Sequence, residues 1–98
     1  MSSGRPILTE DHFALIAKAL ADPRRYDILK RIASSPAATP CGQLLQCFDI
    51  VPATLSHHMK ELESAGLIRS ERVGKFVQYS PRTAVISAYL RRVRGDLL

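Results

Sequence analysis

At Gly66 the chain changes its hydrophobic rhythm. Before it, apolar residues recur three and four positions apart, the spacing of helices with one buried face. After it, LIRSERV and FVQYS are rich in β-forming residues and flank Gly74-Lys75, a hairpin turn signal. Gly66 is the residue type best suited to the left-handed conformation that stops a helix, and Pro81 ends the second strand. A single ribbon late in an otherwise helical chain predicts a mainly α fold with a β-hairpin.

The helical part divides at its own punctuation. Residues 9–21, TEDHFALIAKALA, open on Thr9 as N-cap, followed by acids that suit a helix N-terminus, with Phe13, Ile16, Ala17 and Leu20 at helical spacing. Asp22-Pro23 ends that helix and starts the next, Asp22 as cap and Pro23 at the first helical position. In PRRYDILKRIASS, Tyr26, Ile28, Leu29 and Ile32 predict one buried stripe, and the residues from Ser34 to Pro40 read as loop. PCGQLLQCF fits a short third helix capped by Thr39, with Leu44, Leu45 and Phe48 inward. Asp49-Ile50-Val51 is a tight connector, and Pro52 opens a fourth helix that runs to Ala65. A last amphipathic helix follows Arg82. The expected order is α-α-α-α-β-β-α.

Length and composition set outer bounds. The 98 residues suit one domain, 1–98, with residues 1–8 expected as a flexible N-terminal tail. Apolar residues at 46% and charged residues at 23% describe an ordinary globular chain. No apolar run approaches the roughly 20 residues of a membrane span. The opening MSSGRPILTED lacks the layout of a secretory signal, so the expected location is cytoplasmic and the two cysteines are expected as thiols. The net charge of +5 favours a polyanionic partner. No basic block dominates, although Arg82, Arg91, Arg92 and Arg94 gather near the C-terminus.

The fourth helix carries the sharpest functional signal. With Leu55 at the centre of the inner face and about 100° per residue, Met59 and Leu62 return to that face, while Ala53, Ser56, His57 and Lys60 swing away from it. His58 falls on the flank. A short helix, a tight turn and then a face of hydroxyls, an imidazole and a cation is the helix-turn-helix layout, in which the second helix enters the major groove of DNA. The hairpin after it, with Arg69, Arg72 and Lys75, adds a basic wing able to straddle a phosphate backbone. The predicted groove contacts are Thr54, Ser56, His57 and Lys60. Arg69, Arg72 and Lys75 are the wing contacts, and Arg24 or Arg25 meets phosphate near the start of the second helix. Arg25 has an alternative role, bracing the helix terminus beside Asp22 or Asp27.

These stretches resemble the ArsR family (ArsR/SmtB-like) of winged helix-turn-helix regulators over residues 9–94. ALADPRRYDIL is similar to the family's L-x-D-x-x-R-x-x-I-L, TLSHHMKELESAGLI to S-x-H-L-x-x-L-x-x-A-G-L, and RVGKFVQYS to R-x-G-x-x-x-x-Y. The resemblance implies a transcriptional repressor, homodimeric through its first and last helices, that binds an imperfect palindrome in double-stranded DNA. It assigns His58 to bracing and leaves His57 as the DNA contact. The family's metal sites are missing: the third helix opens on a lone Cys41 without a Cys-x-Cys pair, and the last helix has neither His nor Glu. No metal and no cofactor are therefore expected.

Cys41 and Cys47 lie about 120° apart around a helix, poor geometry for sharing an ion. Each stays open between a thiol sensor and small apolar filler, with Cys47 expected as the more buried. A small-molecule or redox inducer is left open. Phe13, Ile16 and Leu20 on the first helix, with Val85, Ile86, Tyr89, Leu90 and Val93 on the last, offer more apolar surface than a small domain easily hides, and predict the dimer interface. The alternative function is a winged-helix protein-interaction module without specific DNA binding. No catalytic constellation or phosphate loop can be drawn, so an enzyme is not expected.

Overall fold

Capping chemistry decides where the first two helices begin. In the computed structural model, which describes residues 8–98, the Thr9 hydroxyl accepts the His12 amide at 3.0 Å and opens α1 (Glu10–Leu20). The Asp22 carboxylate accepts the amides of Arg24 and Arg25 and, with Pro23 at the first position, opens α2 (Pro23–Ala33). Both caps stand where the sequence puts them. Of the expected N-terminal tail, residues 1–7 lie outside the described residues, while Leu8 packs against the core.

Beyond α2 the chain departs from expectation. Thr39 does not cap the third helix: Thr39–Pro40 form a short strand, β1, and α3 (Cys41–Phe48) starts with Pro40 at its N-cap and no side-chain cap. Asp49, at φ 47°, turns the chain out of α3 in the left-handed region and leads to α4 (Pro52–Ser64). Gly66, at φ 76°, then redirects it into the ribbon β2 (Ile68–Val73) and β3 (Phe76–Pro81), after which α5 (Thr83–Leu97) closes the described chain. A Cβ on Gly66 would stand 3.1 Å from His12 Nε2, the atom that donates to the Ala65 carbonyl at 2.7 Å, so a side chain here would also press on that hydrogen bond.

The sheet is antiparallel with order β1-β3-β2, Thr39 opposite Tyr79 and Val73 opposite Phe76. At the turn, Gly74 has φ 64° while Lys75 keeps a negative φ, as a type II′ hairpin requires. The core gathers Ile16 and Ala19 from α1, Ile28, Leu29 and Ile32 from α2, Leu44 from α3, and Leu55, Met59 and Leu62 from α4, with Ala65, Leu67, Ile68 and Val85. Tyr26 is a correction, because it stands half exposed outside the stripe formed by Ile28, Leu29 and Ile32. The cysteines reverse their expected order too: Cys41 is half-buried and Cys47 exposed.

Thr39 is fully buried, and its hydroxyl has no hydrogen-bond partner among the described residues. Its side chain was expected to serve a helix and instead faces the interior. A buried, unmatched hydroxyl costs about 1–3 kcal/mol, so Thr39→Val, nearly the same shape and a good strand former, is expected to raise the melting temperature by a few degrees. A variant that melts lower in a thermal scan would contradict this.

Candidate nucleic-acid interface

The outer face of α4 is assembled by what its inner face buries. Leu55, Met59 and Leu62 are at most 3% exposed, which fixes the rotation of the helix and turns Thr54, Ser56, His57 and Lys60 to solvent. No side chain caps the start of α4, so its first amides carry the positive end of the helix dipole outward with no capping acceptor. Hydroxyls, an imidazole, a cation and free amides on one face match the oxygens of phosphates and the edges of bases.

The two histidines part company here. His57 is exposed, whereas His58 is buried and its Nδ1 accepts from Arg25 Nε at 3.3 Å. Arg25 is itself buried. It also donates to the Ala19 carbonyl at 3.3 Å and lies 3.8 Å from the Asp22 carboxylate. Arg25 is therefore removed from the expected phosphate contacts and takes the bracing role, tying the end of α1, the start of α2 and α4 together. Arg24 remains on the surface, with one guanidinium N–H given to the Phe48 carbonyl at 3.0 Å, close to the turn between α3 and α4.

Charge in this brace is strictly apportioned. The backbone amide of Arg25 is the main influence holding the Asp22 carboxyl below its ordinary value; burial opposes it and the Arg24 amide helps. Burial is the chief cause that keeps the His58 imidazole below its ordinary 6.5; Asp22 opposes this, and the cation of Arg25 reinforces it. A lowered folded-state value means that the unfolded chain takes up this proton first. Above about pH 6.5 both states are neutral there. As pH falls below that, stability drops until the folded protein also protonates. Urea midpoints are thus expected to fall between pH 7.5 and 5.5, and His58→Gln to lack that part of the decline. An equal decline in both proteins would locate the titration elsewhere.

The wing presents its cations freely. Among the described residues the ion pairs belong to Arg25 and Arg92, which leaves Lys60, Arg69, Arg72 and Lys75 exposed without an acidic partner. Arg92 is occupied otherwise. It bridges Glu10 and Asp96 and lies 4.3 Å above the Phe13 ring, which joins α5 to α1. Sequence reasoning passed over Val73 and Phe76, which flank the turn and are both exposed; their positions either side of a two-residue turn were the available signal.

The expected thiol positions show no shared site. Cys41 lies beside Tyr79, whose hydroxyl is pushed above its ordinary value by burial first and then by the nearby Cys41 and Glu63. Cys47 is exposed on α3. Among the described residues, no three His, Cys, Asp or Glu side chains gather as a metal cluster would require. Among the described residues, no helix is long and apolar enough to cross a membrane.

A short helix, a left-handed turn, a second helix with a polar outer face and a basic hairpin define a winged helix-turn-helix. A family model described as a helix-turn-helix domain matches residues 20–71. The transcriptional repressor SdpR of Bacillus subtilis is 32% identical over 71 residues, which span 72% of this chain and 77% of the relative. Among solved structures, an ArsR-like transcriptional regulator from a Rhodococcus species superposes with a TM-score of 0.77 at 22% identity, over 88% of this chain and 79% of the other. A homodimeric winged helix-turn-helix DNA-binding domain from Mycobacterium bovis gives 0.72 at 27% identity, over 88% and 80%. The chain belongs to the ArsR family of winged helix-turn-helix transcriptional regulators. That is a family of regulators, not of enzymes.

Proposed function

We propose that the protein is a homodimeric repressor that acts in the cytoplasm, each subunit laying α4 into one half of a palindromic operator. The observation that carries this reading is the outward face of Thr54, Ser56, His57 and Lys60, set opposite the buried Leu55, Met59 and Leu62. Arg69, Arg72 and Lys75 accompany it on the wing, and Arg24 stands beside the turn. The similarity to a Bacillus subtilis transcriptional repressor and to a homodimeric DNA-binding domain supports both parts of the proposal. Anisotropy titrations of a fragment from its own promoter test it. Binding no tighter than to random duplex at physiological salt refutes it.

The seam between subunits draws on the expected residues that remain exposed or half-exposed: Phe13, Leu20, Ile86, Tyr89, Leu90 and Val93. Ile16 and Val85, also expected there, are already buried within their own chain and serve as backing. Phe13 and Tyr89 stack with ring centroids 5.1 Å apart, joining the two helices of the seam. Leu90 is 59% exposed beside an apolar groove of about 400 Å³ that includes Leu20, Tyr26, Leu29 and Ile86. Two-fold symmetry places two copies of any substitution in one interface. Leu90→Asp, which touches little of its own chain, is therefore expected to weaken self-association by about 100-fold or more. Light scattering should then report the monomer mass; a variant that remains dimeric would exclude Leu90 from the seam.

A further inference from the structure

Val73 and Phe76 finish the wing in a way that phosphate contacts do not explain. They are register partners across the Gly74-Lys75 turn, so their side chains leave one face of the ribbon together. Val73 is 51% and Phe76 70% exposed, and the flanking Arg72 and Lys75 are exposed as well. Gly74 has no heavy atom within 4 Å of where a Cβ would be, so the tip is slim as well as apolar.

An aromatic ring flanked by unpaired cations complements a nucleic-acid groove, where phosphates line the walls and bases offer apolar faces within. The reach is suitable. Strands of six residues carry the tip about 20 Å from the root of the ribbon at Ile68, at about 3.3 Å per residue. Half a turn of duplex, which separates a major groove from the next minor groove on the same side, is about 17 Å.

We propose that Phe76 is a minor-groove wedge: its ring, backed by Val73, enters between two base pairs beside the sequence read by α4. A wedge costs least at pyrimidine–purine steps, which unstack easily. Phe76 thereby selects such a step at a place where no hydrogen bond reads the bases. This rests on the reading of α4 as the DNA-contacting helix.

The test uses duplexes that the protein itself selects from a randomised pool, with 2-aminopurine substituted step by step through the flanks. The expected result is a fluorescence rise at one flanking step on binding. Phe76→Ala should abolish the rise, weaken binding about 5- to 100-fold and remove the pyrimidine–purine preference there. Phe76→Leu, which keeps an apolar wedge, should retain the preference. Lys75→Ala should weaken binding to all sequences alike and leave the fluorescence pattern intact. If Phe76→Ala keeps both affinity and rise while Lys60→Ala binds more weakly, the wedge is refuted and the reading of α4 survives. If the wild type selects no duplex, both fail. A change in self-association by Phe76→Ala without DNA would also overturn the proposal, because a second copy would then cover the tip.

Discussion

Leu62→Ala is expected to melt about 8–40 °C below the wild type. Leu62 is fully buried, and it is the last of the three α4 residues that seat the helix in a core shared with α1, α2 and α3. Truncating such a leucine forfeits the transfer energy of the lost atoms and leaves a cavity, together about 2–5 kcal/mol. Total stability of a domain this size is about 5–15 kcal/mol, and each kcal/mol shifts its melting point by about 4–8 °C. The loss is therefore a large share of what holds the fold. Differential scanning calorimetry measures it directly. A shift below about 3 °C would mean that the site collapses without cost, contrary to a close-packed seat.

Lys60→Ala, combined with His57→Ala, is expected to weaken operator binding by about 100-fold or more. Each side chain contributes about 1–3 kcal/mol if it meets a base edge, and less if it meets phosphate alone. The proposed symmetry counts every loss twice. The two changes separate in salt. Lys60→Ala deletes a cation from each half-site, so the logarithmic salt slope should become shallower by about 2. His57→Ala removes neither a lysine nor an arginine, so it should lower affinity with little change of slope. Both residues are exposed, so neither variant should shift the melting point much. Undiminished affinity in the double variant would remove α4 from the interface.

The parts of the fold that were legible in the sequence owe their legibility to local chemistry. Asp22-Pro23 and Thr9 announce helix starts through hydrogen bonds made within three residues. Gly66 and Gly74 announce turns because their positive φ angles suit few other residues. The outward face of Ser56, His57 and Lys60 followed from the spacing of Leu55, Met59 and Leu62 alone.

What escaped the sequence depends on distant partners. A two-residue strand has no periodicity to read, so β1 was hidden until Thr39 could be set opposite Tyr79, forty positions away. From the sequence, Arg25 reads either as a phosphate contact or as a brace beside Asp22 or Asp27, and local pattern does not choose between them. Its burial is decided by the His58 ring and the Ala19 carbonyl, which no local pattern reveals. Helical spacing likewise groups Ile16 with Phe13 and Val85 with Tyr89 on common faces. It cannot say which member its own chain has already covered.

The short strand β1 has a mechanical consequence. Because Thr39 and Pro40 are stitched to Tyr79 and Gln78 and pass straight into Cys41, the hairpin and the first half of the helix-turn-helix share one hinge post. A sideways push on α3 is transmitted along the backbone to the ribbon, so the gap between reader and arm is not free to vary at either side independently. The gripping parts behave as calipers with a common pivot, whose opening is gauged by two residues at the root of α3.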